Sequence, residues 1–110
     1  MKYNKPLKLL KKLPNKLKNF YIKNSKFSLK ITNKSKNKEN FDPVTNLDKA
    51  FEKFIRNIIV KQFPGDAILG EEFLEKNSDN DYKWFIDPID GTRAFMIGAP
   101  TWSNLIGLTH

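Results

Sequence analysis

The sequence predicts an α+β domain, and three observations point there. Apolar residues recur at three- and four-residue spacing within 6–22 and 47–61, as on the buried face of a helix. Short apolar runs at 67–69, 84–86 and 102–108 are bounded by turn-forming residues, as strands are. A hydrophobic content of 39% with 13% aromatics is enough for a modest core in a chain of 110 residues, which sets the size at one small domain.

The first helix is expected over 6–22, with Leu7, Leu9, Leu10, Leu13, Leu17, Phe20 and Tyr21 facing the core and lysines facing water. Pro14 inside it predicts a kink or a late start. Phe27, Leu29 and Ile31 alternate with Ser28, Lys30 and Thr32, the pattern of a half-buried strand, and Asn33–Asn40 is a polar connection. Asp42 before Pro43 reads as a turn residue. Thr45 followed by Asp48 resembles a capping box with Asp replacing Glu or Gln, so a helix should start there and run to Lys61. It should bury Leu47, Phe51, Phe54, Ile55, Ile58 and Ile59. Taken alone, Asp48 is an acid placed favourably at a helix N-terminus.

Phe63-Pro64-Gly65-Asp66 is a turn. Ala67-Ile68-Leu69 is a short strand ending in Gly70-Glu71-Glu72, and 75–82 is a solvated loop that includes Asp79 and Asp81. Trp84-Phe85-Ile86 is a buried strand that runs into Asp87-Pro88-Ile89-Asp90-Gly91-Thr92. Carboxylates at the end of a buried element are disfavoured unless a partner offsets them. A hard cation is such a partner, since Mg2+ takes carboxylate and carbonyl oxygens. Pro88 fixes its own φ, Gly91 permits a sharp turn, and Thr92–Phe95 reads as a first helical turn whose free amides suit an anion. Two neighbouring strand ends presenting Glu71, Asp87 and Asp90 would cluster carboxylates where open sheets place ligands. Trp102–Leu108 reads as a buried strand.

Asp87-Pro88-Ile89-Asp90-Gly91-Thr92 resembles the signature of the inositol monophosphatase-like family of Mg2+-dependent phosphatases. Arg93-Ala94-Phe95, Gly98-Ala99-Pro100-Thr101-Trp102 and Leu105-Ile106-Gly107-Leu108 are most similar to its histidinol-phosphatase branch. Pro43-Val44-Thr45-x-x-Asp48 resembles a second family block. The resemblance implies the N-terminal portion of a layered α/β/α/β/α fold, helices packed on a mostly antiparallel sheet. It implies that Glu71, Asp87 and the Ile89 carbonyl hold a first Mg2+, and that Asp87 bridges to a second ion which Asp90 also binds. Asp48 and Thr92 would be the catalytic pair acting on the attacking water. Glu71, Ile89, Asp90, Gly91, Thr92 and Arg93 would meet the substrate, a small phosphorylated alcohol. Lys34 matches a basic position before the Pro-Val-Thr block, and Glu72 a supporting one.

The family is more than twice as long and supplies a further Asp ligand from its C-terminal half. A single incomplete domain is therefore expected, with 1–40 a basic helix and strand and 41–110 the half bearing the metal and phosphate site. A homodimer is compatible with a full-length member. The expected activity is phosphomonoester hydrolysis, on histidinol phosphate in histidine biosynthesis; inositol 1-phosphate or a related sugar phosphate is the alternative. A non-catalytic Mg2+- or phosphate-binding module is the alternative of another class.

Charge and composition narrow the remaining classes. Residues 1–40 hold thirteen Lys and one acid, and 41–110 hold seven basic and eleven acidic residues, so the net +8 belongs to the first third. A basic arm can indicate nucleic acid or a membrane surface. The first forty residues contain no Arg, the side chain best suited to bidentate base and phosphate contacts, and neither partner is expected. The chain has no cysteine, which excludes disulfides and thiolate metal sites. No apolar run reaches the length of a membrane span, and no secretory h-region follows the N-terminus, so a cytoplasmic protein is expected. The only histidine, His110, is no candidate base.

Overall fold

The computed structural model describes residues 3–25, 29–35 and 43–110. Helix α1 (Asn4–Asn24) leads into strands β1 (Ile31–Asn33) and β2 (Pro43–Thr45), then helix α2 (Asn46–Gln62) and strand β3 (Ala67–Gly70). Strand β4 (Lys83–Asp90), the short helix α3 (Thr92–Met96) and strand β5 (Ser103–Thr109) complete the order. The α+β class is as expected.

β1 and β2 pair antiparallel. The main sheet has order β3-β4-β5, with β3 parallel and β5 antiparallel to β4, so it is mixed. Parallel neighbours need a crossover of about a dozen residues, usually through a helix. Here the 71–82 connection does it without one. It is held by a bridge between Ile68 and Lys76, and by the Lys76 ammonium donating to the carbonyls of Pro64 and Asp66, both at 2.7 Å.

The core lies between the helices and one face of this sheet. Leu9, Leu13 and Leu17 of α1, Phe51, Ile55 and Ile59 of α2, and Ile68, Trp84, Ile86 and Ile89 of the sheet are all buried. Trp84 satisfies its indole N–H by donating to the buried Asp66 carboxylate at 2.9 Å, as a buried Trp requires. α1 begins before Pro14 rather than after it. Pro14 removes one N–H and crowds the Leu10 carbonyl, while the i, i+4 packing of Leu9, Leu13 and Leu17 keeps the helix intact on both sides.

Three expectations are corrected. Phe27 and Ser28 lie outside the described residues, as does Asp42; the strand occupies Ile31–Asn33, and all three of its residues are exposed. Trp84-Phe85-Ile86 is not buried throughout, because Phe85 points to the opposite face and is 40% exposed. β5 alternates half-buried and exposed rather than being buried, since Leu105 shares that open face with Phe85 and Leu69. The apolar runs are those of a sheet covered on one side. Among the described residues, no helix is long and apolar enough to cross a membrane.

Candidate active site

Four chain segments meet at the C-terminal ends of β3 and β4. The first is the start of α2. Thr45 is its N-cap, and the expected capping box forms in full: the Asp48 amide donates to the Thr45 hydroxyl at 3.1 Å, and the Thr45 amide donates to Asp48 Oδ2 at 2.8 Å. The Thr45 hydroxyl also donates to Oδ2. Asp48 is thereby held almost entirely buried, at 1% exposure. Its other oxygen, Oδ1, faces the Thr92 hydroxyl at 3.1 Å. That hydroxyl also lies 3.1 Å from the Ile89 carbonyl. A hydroxyl has one proton and two lone pairs. Thr92 can donate to Asp48 and still accept from a further group.

The second segment is the end of β4. Its ladder with β5 pairs Asp87 with Leu105 and Asp90 with Ser103, so three steps on β4 span two on β5. This is a bulge at Pro88 and Ile89, where Pro is tolerated because no ladder N–H is required. Residues three apart on a regular strand face opposite sides. The bulge brings Asp87 and Asp90 to one face, that of Leu105 and Ser103. Asn104 of β5 donates its side-chain amide to the Pro88 carbonyl and so fixes the bulge from across the ladder.

Gly91 follows at φ +90°, and a Cβ there would lie 2.8 Å from the Thr101 carbonyl oxygen. Both the backbone conformation and the space require glycine. Helix α3 has only five residues, so its amides act as local donors more than as the end of a helix dipole. Arg93 is exposed on it, and the Ile89 side chain is buried while its carbonyl faces Thr92.

The third segment is the turn after β3, which carries Glu71 and Glu72. Lys34, on the fourth, reaches Glu72 at 3.4 Å. Burial pushes the Glu71 carboxyl above its ordinary pKa, with the Asp87 charge adding to the rise and Lys34 opposing it. Asp87 is raised by burial first, then by Asp90 and Asp48. Glu72 is raised by burial and partly relieved by Lys34. Burial leads in all three, and for Glu71 and Asp87 burial and the neighbouring carboxylates together outweigh what Lys34 offsets, so the charged forms are disfavoured there.

Asp87 Oδ1 bears on whether a cation fits. Among the described residues, it is the buried side-chain polar atom left without a hydrogen-bond partner. A buried carboxylate oxygen in that state is costly unless a cation takes it. Among the described residues, no three acidic, histidine or cysteine side chains are gathered closely enough to hold a metal ion by themselves. An open carboxylate set agrees with Mg2+, which binds through one or two carboxylates and keeps several waters. The residues present fit such an ion.

The structure thus brings Asp48, Thr92, the Ile89 carbonyl, Asp87, Asp90 and Glu71 to one end of the sheet. Asp79 and Asp81 are exposed in the 71–82 crossover. His110 packs against Tyr82 with ring centres 4.5 Å apart and planes tilted by 45°, at the opposite end of β4, where Thr109 pairs with Lys83. Two residues escaped the sequence reading. Asn104 is the polar interruption in an apolar run. Glu52 is a fully buried acid one helical turn after Asp48, on the apolar face, and that spacing was its signal.

The profile of the inositol monophosphatase family matches residues 9–110. A histidinol-phosphatase of Mycobacterium tuberculosis is 42% identical over 71 residues, 64% of this chain and 27% of that protein. A fructose-1,6-bisphosphatase/inositol-1-monophosphatase of Aquifex aeolicus is 40% identical over 67 residues, 61% of this chain and 25% of that protein. The chain therefore spans about a quarter of the length of these relatives. An IMPase/NADP phosphatase solved with Mg2+ and phosphate superposes on all of this chain, and on 41% of its own, with a TM-score of 0.82 at 20% identity, a likeness of fold. On the match across 9–110, the chain belongs to the inositol monophosphatase family.

Proposed function

We propose that this chain carries the metal- and phosphate-binding part of a Mg2+-dependent phosphomonoesterase whose substrate is histidinol phosphate. The observation that carries the reading is the buried Asp48 carboxylate accepting from Thr92, beside a bulge that leaves a buried oxygen of Asp87 without a hydrogen-bond partner. Glu71, Asp87, Asp90 and the Ile89 carbonyl would hold two or more Mg2+ ions. Bound Mg2+ supplies a lowered water pKa and polarisation of the phosphoryl oxygens.

The rest follows from the chain's own groups. Asp48, fixed by Thr45, takes the Thr92 proton into its hydrogen bond and turns an Oγ1 lone pair outward. That lone pair accepts a hydrogen bond from the attacking water and aligns it. As the water gives its proton to Oγ1, the Thr92 proton passes to Asp48 Oδ1, so the carboxylate is the final acceptor. The amides of Gly91 and Thr92 offer local donors for phosphate oxygens, and Gly91 allows the close approach. Arg93 is exposed beside them and would meet the substrate.

Substrate choice rests on Arg93-Ala94-Phe95 and Pro100-Thr101-Trp102, together with a relative named histidinol-phosphatase. A relative named for fructose bisphosphate and inositol phosphate favours the second reading, a sugar- or inositol-phosphate phosphatase. Phosphate release with Mg2+ should be measured on histidinol phosphate, inositol 1-phosphate and fructose 1,6-bisphosphate. Turnover of histidinol phosphate at least tenfold above the others is expected. Preference for inositol phosphate overturns the substrate, and Mg2+ binding with no turnover of any of the three makes the chain a binding module.

A further inference from the structure

We propose that Glu52 is a positioning residue for Glu71, holding the turn that presents it. The inference rests on the reading of Glu71 as a metal ligand. Glu52 lies on the core-facing side of α2 at 0% exposure. Its Oε1 accepts the Glu72 amide at 2.9 Å, and its Oε2 accepts the Phe73 amide at 3.0 Å and the Arg56 guanidinium at 3.0 Å. Arg56 closes the grip from the other side, donating to the carbonyls of Leu74 at 2.9 Å and Phe73 at 3.1 Å. The backbone immediately after Glu71 is therefore held through both its N–H and its C=O groups by one ion pair.

On the other side of Glu71, Gly70 has been kept clear for the same carboxylate. A Cβ on Gly70 would lie 2.4 Å from the Glu52 carboxyl carbon. Glu71 is thus bracketed by a residue that must be glycine to admit Glu52 and by two amides that Glu52 binds. Stability alone does not explain the choice. Buried ion pairs are often matched or bettered by apolar side chains of similar volume. No apolar side chain accepts two consecutive amides, and a ligand in an open site depends on such outer support for its aim.

The test uses Mn2+ binding followed by electron paramagnetic resonance, with melting curves in EDTA. Glu52→Gln keeps the shape but places an amide nitrogen against one of the donors. Ile59→Val, a core change far along α2, serves as a control for lost stability. A Kd for Mn2+ at least tenfold weaker in folded Glu52→Gln, with Ile59→Val near wild type, supports the proposal. A Kd within twofold of wild type in folded Glu52→Gln overturns it. If Glu52→Gln does not fold, Gly70→Ala, which crowds the same carboxylate without a change of charge, is read by the same two limits. Absence of Mn2+ binding by the wild type is a different failure, since it defeats the metal-site reading and this proposal with it.

Discussion

Replacing Asp48 by Asn tests the relay most sharply, because it keeps the shape and reverses one hydrogen bond. The carboxylate accepts three hydrogen bonds, from the Thr45 amide, the Thr45 hydroxyl and the Thr92 hydroxyl. Asn has one acceptor oxygen. Held towards Thr45, it turns its NH2 group to Thr92 and donates into the lone pair on which the water depends. Bonds to a charged acceptor are worth about 1.5–3 kcal/mol against about 1 for neutral ones. Three weakened bonds would sum to about 3 kcal/mol, less what is recovered by no longer burying a charge, leaving a net loss of roughly 1–2 kcal/mol. That lowers Tm by about 5–15 °C. Loss of the positioned base should reduce kcat by about 10²–10⁴ with KM little changed. The assays are a thermal melt and phosphate release with Mg2+ below the variant's Tm. A folded Asp48→Asn with kcat within threefold of wild type refutes the relay, and an unchanged Tm refutes the hydrogen-bond accounting.

Two further predictions follow from the same end of the sheet. Gly91→Ala places a Cβ at φ +90° and 2.8 Å from the Thr101 carbonyl oxygen, and it should cost about 2 kcal/mol and roughly 10 °C in Tm by thermal melt. Asp87, raised in pKa by burial and then by Asp90 and Asp48, binds more protons folded than unfolded. Its unfavourable contribution is absent below the unfolded carboxylate pKa, about 4, and grows as pH rises through the folded value. In EDTA, Asp87→Asn should therefore melt above wild type at pH 7, and the gap should close as the pH falls towards 4.

The two helices and the capping box were legible because they are written locally: 3.6-residue periodicity and a Thr-x-x-Asp start need no distant partner. The meeting of Asp48 with Thr92 across 44 positions was legible only through the family resemblance. What the sequence hid is long-range in origin. Alternation could not reveal that Phe85 and Leu105 face an open side, because an apolar run looks alike whether one or both faces are covered. The bulge between Asp87 and Asp90 exists only against the register of β5. Glu52 sat among Phe51, Ile55 and Ile59 as an apparent lapse in an apolar face, and beside Arg56 its partners are the backbone amides of residues 72 and 73, which carry no side-chain signal.

A divalent-cation site at the ends of β3 and β4 implies carboxylates that are held at a cost until the ion binds. Melting wild type and Asp87→Asn at pH 7, in EDTA and then in increasing Mg2+, tests it directly. A ligand that binds only the folded state raises its stability by RT ln(1 + [L]/Kd). Asp87→Asn is expected to start above wild type, since its unpaired buried oxygen no longer bears charge, and only wild type should rise with Mg2+. An Asp87→Asn chain that starts below wild type, or rises with Mg2+ as wild type does, would contradict it.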